Sequence, residues 1–227
     1  MKRISFALGC IYGLAAIADI FFVFNTYEQE RLISKPLLMI VLMLMYAAET
    51  GVRSTFSKIF LCALLFSWPG DLLLMFNGFF IGGLSAFLAA HVCYIIYTLR
   101  INPGAKGVLQ FQPLFGIPIL AWGILLSGLL LPFLDTLKIP VIIYATVICI
   151  FWMLTLNLFG KTDKKTAALF FCGAGQFVLS DSVLAVNQFI YPFQMLPAII
   201  MLTYCSAQLL LVLGSIRHLR QTNTIYK

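Results

Sequence analysis

The chain has 227 residues, of which 62% are hydrophobic and only 10% charged, with a mean hydropathy of +1.00. That composition excludes a soluble fold, leaves no room for a separate soluble domain and indicates a polytopic membrane protein. The net charge of +7 does not point to nucleic acid, because the basic residues are scattered among short loops and form no stripe with interleaved aromatics.

A membrane span needs about 20 apolar residues. Eight such stretches can be read in order, at 4–24, 33–49, 57–76, 79–99, 113–131, 138–159, 166–189 and 194–216. They predict an all-α transmembrane bundle in a single integral membrane domain over 1–227. The first stretch follows Met1-Lys2-Arg3 and carries Ala16-Ile17-Ala18, as a signal peptide would, but its apolar run continues to Phe24, so it is expected to stay as a span. The second, the shortest, opens near Lys35-Pro36. The third contains Ser67-Trp68-Pro69-Gly70-Asp71, and the missing N–H of Pro69 predicts a kink there. The fourth carries His91 and Tyr94, the seventh Gly173, Gly175 and Asp181, and the eighth Tyr204 and Gln208. Short connections marked by Gly, Pro and charge join the spans, so neighbours should run antiparallel. All six cysteines, Cys10, Cys62, Cys93, Cys149, Cys172 and Cys205, fall within spans without a C-x-x-C pair, and read as small packing residues.

Charge sets an expected orientation. With eight spans and an inner N-terminus, the cytoplasmic segments collect twelve basic residues: Lys2, Arg3, Arg53, Lys58, Arg100, Lys106, Lys161, Lys164, Lys165, Arg217, Arg220 and Lys227. The other side keeps three, Arg31, Lys35 and Lys138. This bias predicts that both termini are cytoplasmic, and it fits a multi-pass protein of a bacterial inner membrane. The halves also echo each other: Gly70-Asp71-Leu72-Leu73-Leu74 in the third span against Ser180-Asp181-Ser182-Val183-Leu184 in the seventh, each followed by a helix with polar residues. A four-plus-four repeat is one reading of that echo, and chance similarity of apolar sequence is the other.

Asp71 and Asp181 are the informative residues. An acid inside a span costs roughly 2.5 to 3.5 kcal/mol on insertion scales, which favours a functional role over packing. Both are expected at similar depth, about two-thirds along helices running outward, with Asp19 at a comparable level as a third acid or as partner of a neighbouring helix. His91 and Tyr94 are three apart and Tyr204 and Gln208 four apart, so each pair shares a helix face. Lys35 is either a snorkelling anchor or a phosphate contact. Only His91 and His218 are available as imidazoles, which excludes a His-rich zinc or di-iron site. No G-x-S-x-G elbow occurs, and Trp68-Pro69-Gly70-Asp71 lacks the Gly-x-Gly-Asp pattern of intramembrane aspartyl proteases. A proton- or cation-coupled transporter, or a lipid-binding membrane protein, remains the alternative to an enzyme.

The order and spacing of these motifs resemble a known family. Lys35-Pro36-Leu37, Gly70-Asp71-Leu72-Leu73-Leu74, the run from Phe80 to Tyr94 with His91, Leu179-Ser180-Asp181-Ser182 and Tyr204-Cys205-Ser206-Ala207-Gln208 together resemble the YhhN/lysoplasmalogenase family over nearly the whole chain. The resemblance implies hydrolysis of the vinyl ether bond of a lysophospholipid substrate, a lysoplasmalogen, to a fatty aldehyde and a glycerophospho-head group. It implies no metal or organic cofactor. On this reading Asp71 and Asp181 share the acid and base roles, and His91 orients water or tunes a carboxyl. Tyr94, Tyr204 and Gln208 bind the reacting region, and Lys35 meets the lipid phosphate.

Overall fold

A computed structural model of the chain describes residues 3–225. Met1, Lys2 and Lys227, the last two counted in the charge bias, lie outside them. Regular structure among the described residues is helical apart from one isolated bridge between Phe159 and Thr162. The helices are α1 (Arg3–Phe24), α2 (Glu28–Thr50), α3 (Thr55–Leu73), α4 (Phe80–Leu99), a short α5 (Val108–Phe111), α6 (Ile117–Leu130), α7 (Lys138–Leu156), α8 (Lys164–Phe189) and α9 (Leu196–Ile225). All but α5 belong to helical segments long and apolar enough to cross a membrane, which makes eight spans.

Boundaries differ from the sequence reading for identifiable reasons. α2 starts at Glu28 rather than near 33, because Glu28 and Glu30 occupy its first turn, where negative charge meets the positive end of the helix dipole. Pro36 therefore lies inside the helix, and its carbonyl accepts a hydrogen bond from the indole Nε1–H of Trp68 on α3 at 3.2 Å. α3 runs through Pro69 but ends at Leu73, not 76, and the chain then turns through Gly78 at φ +87°. Asp71 thus stands in the last turn of α3 rather than two-thirds along it. α9 continues past 216 to Ile225.

Contacts gather the chain into two compact units, one formed by residues up to Tyr94 and from Val212 on, the other running from Ile95 to Leu211. In the first, α1 packs on α2 and α2 on α3. α1 turns its polar and small residues inward, burying Ser5, Tyr12, Ala16, Asp19 and Val23. It exposes Ile4, Phe6, Ile11, Leu14, Ile17 and Phe21. This inside-out pattern suits a helix whose solvent is lipid, where small and polar side chains hold helices together. Tyr46, Phe60 and Tyr94 link α2, α3 and α4, with ring centroids 4.9 and 5.3 Å apart. The Tyr46 hydroxyl lies 3.0 Å from Ser215 Oγ in the closing part of α9, and Arg220 pairs with Glu49.

In the second unit α6, α7 and α8 pack on one another. Gly173 lets α8 approach the first part of α9: a Cβ there would stand 3.0 Å from Leu211 and 3.2 Å from the Ala207 carbonyl oxygen. Tyr97 and Phe170 add an aromatic contact with centroids 5.8 Å apart.

Candidate active site

In the first unit, Lys35 and Asp71 come together although 36 positions separate them in sequence. α2 and α3 are antiparallel neighbours, so the start of α2 meets the end of α3. Lys35 Nζ lies 3.9 Å from Asp71 Oδ1, and their side chains are 11% and 4% exposed. A charge at this burial is tolerated when an opposite charge faces it.

Gly70, just before Asp71, is required by a close approach. The Phe87 ring of α4 sits against the α3 backbone, and a Cβ at Gly70 would fall 2.7 Å from Phe87 Cδ2. One turn along α4, the Phe87 carbonyl holds the imidazole of His91, with Nδ1 at 2.8 Å. A carbonyl only accepts, so Nδ1 carries a hydrogen and Nε2 is the ring nitrogen left to face other groups. His91 is fully buried, and its ring meets that of Tyr94 with centroids 6.3 Å apart.

Asp19, also in this unit, makes the contacts expected of a partner for a neighbouring helix, one of its two readings. Asp19 Oδ1 accepts from Ser34 Oγ at 2.5 Å and lies 3.8 Å from Arg31 Nε, so it ties α1 to the start of α2.

The second unit contains Asp181, Tyr204 and Gln208. Three consecutive residues of α8 each reach a different helix. Ser180 Oγ donates to the Ile200 carbonyl of α9 at 3.1 Å, Asp181 Oδ2 accepts from the hydroxyl of Tyr144 on α7, and Ser182 Oγ accepts from Trp122 Nε1 on α6 at 3.1 Å. Asp181 is half-buried. On α9, Gln208 Nε2 donates to the Tyr204 hydroxyl at 3.3 Å, and Phe177 of α8 meets Tyr204 edge-on with centroids 5.5 Å apart. An apolar groove of about 640 Å³ between α6 and α7 is lined by Leu120, Gly123, Ile124, Cys149 and Met153 among others.

The expected site residues thus form one group around Asp71 with Lys35, another pairing His91 with Tyr94, and a third in the second unit with Asp181, Tyr204 and Gln208. Tyr144, Trp122, Ser34 and Arg31 are partners that the sequence reading did not single out. A phenol in an otherwise apolar stretch of α7 was the only local sign of the first.

Comparison with known proteins bears on the family of the chain. The model of the YhhN family matches residues 30–215. The chain is similar to the human protein named lysoplasmalogenase TMEM86B, 32% identical over 156 residues that make up 68% of this chain and 62% of the human one. It is similar to the mouse protein of the same name, 31% identical over 185 residues, 81% of this chain and 74% of the relative. The match therefore spans less than two thirds of the human protein. No solved structure matches this chain.

Proposed function

Since the chain belongs to the YhhN family, we propose that it is a lysoplasmalogenase-like hydrolase of the membrane, cleaving the vinyl ether bond of a lysophospholipid. The observation that carries this reading is the pair of intramembrane acids, each met by a side chain suited to acid–base work: Lys35 at Asp71 and Tyr144 at Asp181.

The chemistry needs one proton and one water. Protonation of the β-carbon of the vinyl ether uses the alkene electron pair and leaves an oxocarbenium ion at the α-carbon. Water adds there and gives up a proton, forming a hemiacetal. Cleavage of the hemiacetal C–O bond releases the fatty aldehyde: the hemiacetal hydroxyl gives its proton to the carboxylate that had acted as acid, and the departing glycerol oxygen takes the proton that the base had accepted from water, so both carboxyls end as they began. Two carboxyl groups handle a related oxocarbenium ion in glycosidases. Lys35 balances a negative charge on Asp71, which supports Asp71 as the carboxylate that faces the cation and accepts the proton of water. Tyr144 donates to one oxygen of Asp181 from a neutral hydroxyl, which stabilises a carboxylate less than the Lys35 ammonium at Asp71 does, and this contrast supports Asp181 as the proton donor of the two. In this reading His91 orients water through Nε2, Tyr94, Tyr204 and Gln208 hydrogen-bond the reacting region, and Lys35 also meets the lipid phosphate. The alkenyl chain lies between helices, with the α6–α7 groove as a hydrocarbon surface. The charge bias supports both termini on the cytoplasmic side of a bacterial inner membrane, and the paired Gly70-Asp71 and Ser180-Asp181 segments support a four-plus-four repeat.

The test is direct. Purified protein in detergent micelles is incubated with lysoplasmenylcholine and released aldehyde is measured. Hydrolysis is expected in micelles, where no gradient exists, and neither transport nor lipid binding alone would yield aldehyde. Absence of aldehyde from folded protein with both choline and ethanolamine head groups overturns the proposal.

A further inference from the structure

We propose that Arg31 is a second cationic ligand for the phosphate of the lipid substrate, held ready by Asp19 and Ser34, and that it makes the site selective for phosphorylated lipids over uncharged alkenylglycerols. The inference rests on the lysophospholipid reading above and adds to it a residue and a selectivity.

Arg31 and Lys35 are four apart on α2, so both cations lie on one face, about 6 Å apart along the axis. Each is backed by an acid from a neighbouring helix: Asp19 of α1 behind Arg31 and Asp71 of α3 behind Lys35. The two cations differ in what they have left to offer. Arg31 Nε is buried against Asp19 Oδ1 at 3.8 Å, while its side chain as a whole is 22% exposed. Arg31 Nε donates no hydrogen bond, and none from Nη1 or Nη2 to a described residue is found, so the Nη donors remain available. An arginine fixed along one edge with its fork open is the arrangement that grips a phosphate through two parallel hydrogen bonds.

Asp19 explains why the guanidinium stays in place. It is fully buried and already fixed by Ser34 Oγ at 2.5 Å, so its charge has a set position. Asp19 precedes the stretch matched by the family model, 30–215. The substrate's dimensions agree with the spacing. A glycerol backbone places three carbons between the ether oxygen and the phosphate ester oxygen, a reach comparable with one helical pitch of about 5.4 Å. A phosphate shared by Arg31 and Lys35 therefore leaves the ether oxygen within reach of Asp71, which lies beyond Lys35 Nζ at 3.9 Å.

The experiment measures binding rather than turnover. The full chain in lipid nanodiscs is titrated with a saturated-ether lysophosphocholine, which has no vinyl ether to hydrolyse, and with the matching alkylglycerol lacking the phosphate. Wild-type protein should prefer the phosphorylated lipid by about tenfold to a hundredfold. Arg31→Gln should erase most of that preference, Asp19→Asn should reduce it, and Arg31→Lys should retain only part. A merely structural role would weaken both lipids alike. An unchanged preference in folded Arg31→Gln overturns the inference, whether or not the enzyme turns over a vinyl ether. Should that variant fail to fold, full preference in Arg31→Lys, which keeps charge but loses the fork, overturns it equally. Inorganic phosphate that stabilises the protein as strongly as the lysolipid overturns the assignment to a lipid head group. Absence of hydrolysis with the phosphate preference intact counts against the proposed reaction and leaves this inference standing.

Discussion

In the first unit the ammonium of Lys35 lies 3.9 Å from Asp71, whereas in the second the hydroxyl of Tyr144 donates to Asp181. The preceding residues differ in the same spirit. Gly70 has no side chain and admits the Phe87 ring against the helix backbone, while Ser180 sends its hydroxyl to the Ile200 carbonyl. Two segments that look like echoes are therefore met in different ways, one by charge and aromatic packing, the other by neutral hydrogen bonds. A pair of acids in one reaction needs this kind of inequality, because two carboxyls in equal surroundings would compete for the same role.

Four experiments sharpen or break that contrast. The largest effect is expected from Asp71→Asn and Asp181→Asn, each of which should lower aldehyde release by about a hundredfold to ten-thousandfold. Wild-type turnover in either variant would remove that acid from the chemistry and end the comparison. Next comes the charge itself. Lys35→Met leaves the buried Asp71 carboxylate without its cation and should destabilise the protein by about 3 kcal/mol or more, read as thermal unfolding in detergent, with Lys35→Arg close to wild type. Gly70→Ala is expected to cost about 1 to 3 kcal/mol, because its Cβ meets the Phe87 ring, and Phe87→Leu in the same chain should recover part of the loss. The smallest effect belongs to the neutral contacts of the second unit. Tyr144→Phe and Ser180→Ala should each cost about 1 kcal/mol in stability, and Tyr144→Phe should in addition slow hydrolysis while Ser180→Ala does not. If Tyr144→Phe costs as much stability as Lys35→Met, the distinction between charged and neutral partners is wrong.

What was legible in the sequence follows from the same physics. Polar residues in apolar helices stand out because lipid offers them no partner, so Asp71, Asp181, His91 and Lys35 were visible without any coordinates. Helix number was visible too, since length and hydropathy determine it. The partners were hidden. Tyr144 lies 37 positions from Asp181, and a tyrosine in an apolar span looks like an interfacial anchor until the facing helix is known. Arg31 and Lys35 read as a minority of outer charges, and only the packing of α1 and α3 on α2 gives each of them an acid. Helix ends were misjudged where the helix and its apolar run do not coincide. The apolar run suggested a beginning at 33, yet the helix starts five residues earlier at Glu28, in a charged first turn.

Ser180, Asp181 and Ser182 project about 100° apart around α8, and together they touch α9, α7 and α6. That makes α8 a keyed shaft. Rotation about its own axis breaks all three contacts together, so the aim of the Asp181 carboxyl is set by the angular phase of the whole helix and not by its own rotamer alone. One alanine inserted between Val178 and Leu179 would advance that phase by a single step and turn Asp181 away from Tyr144 without changing any residue of the triplet.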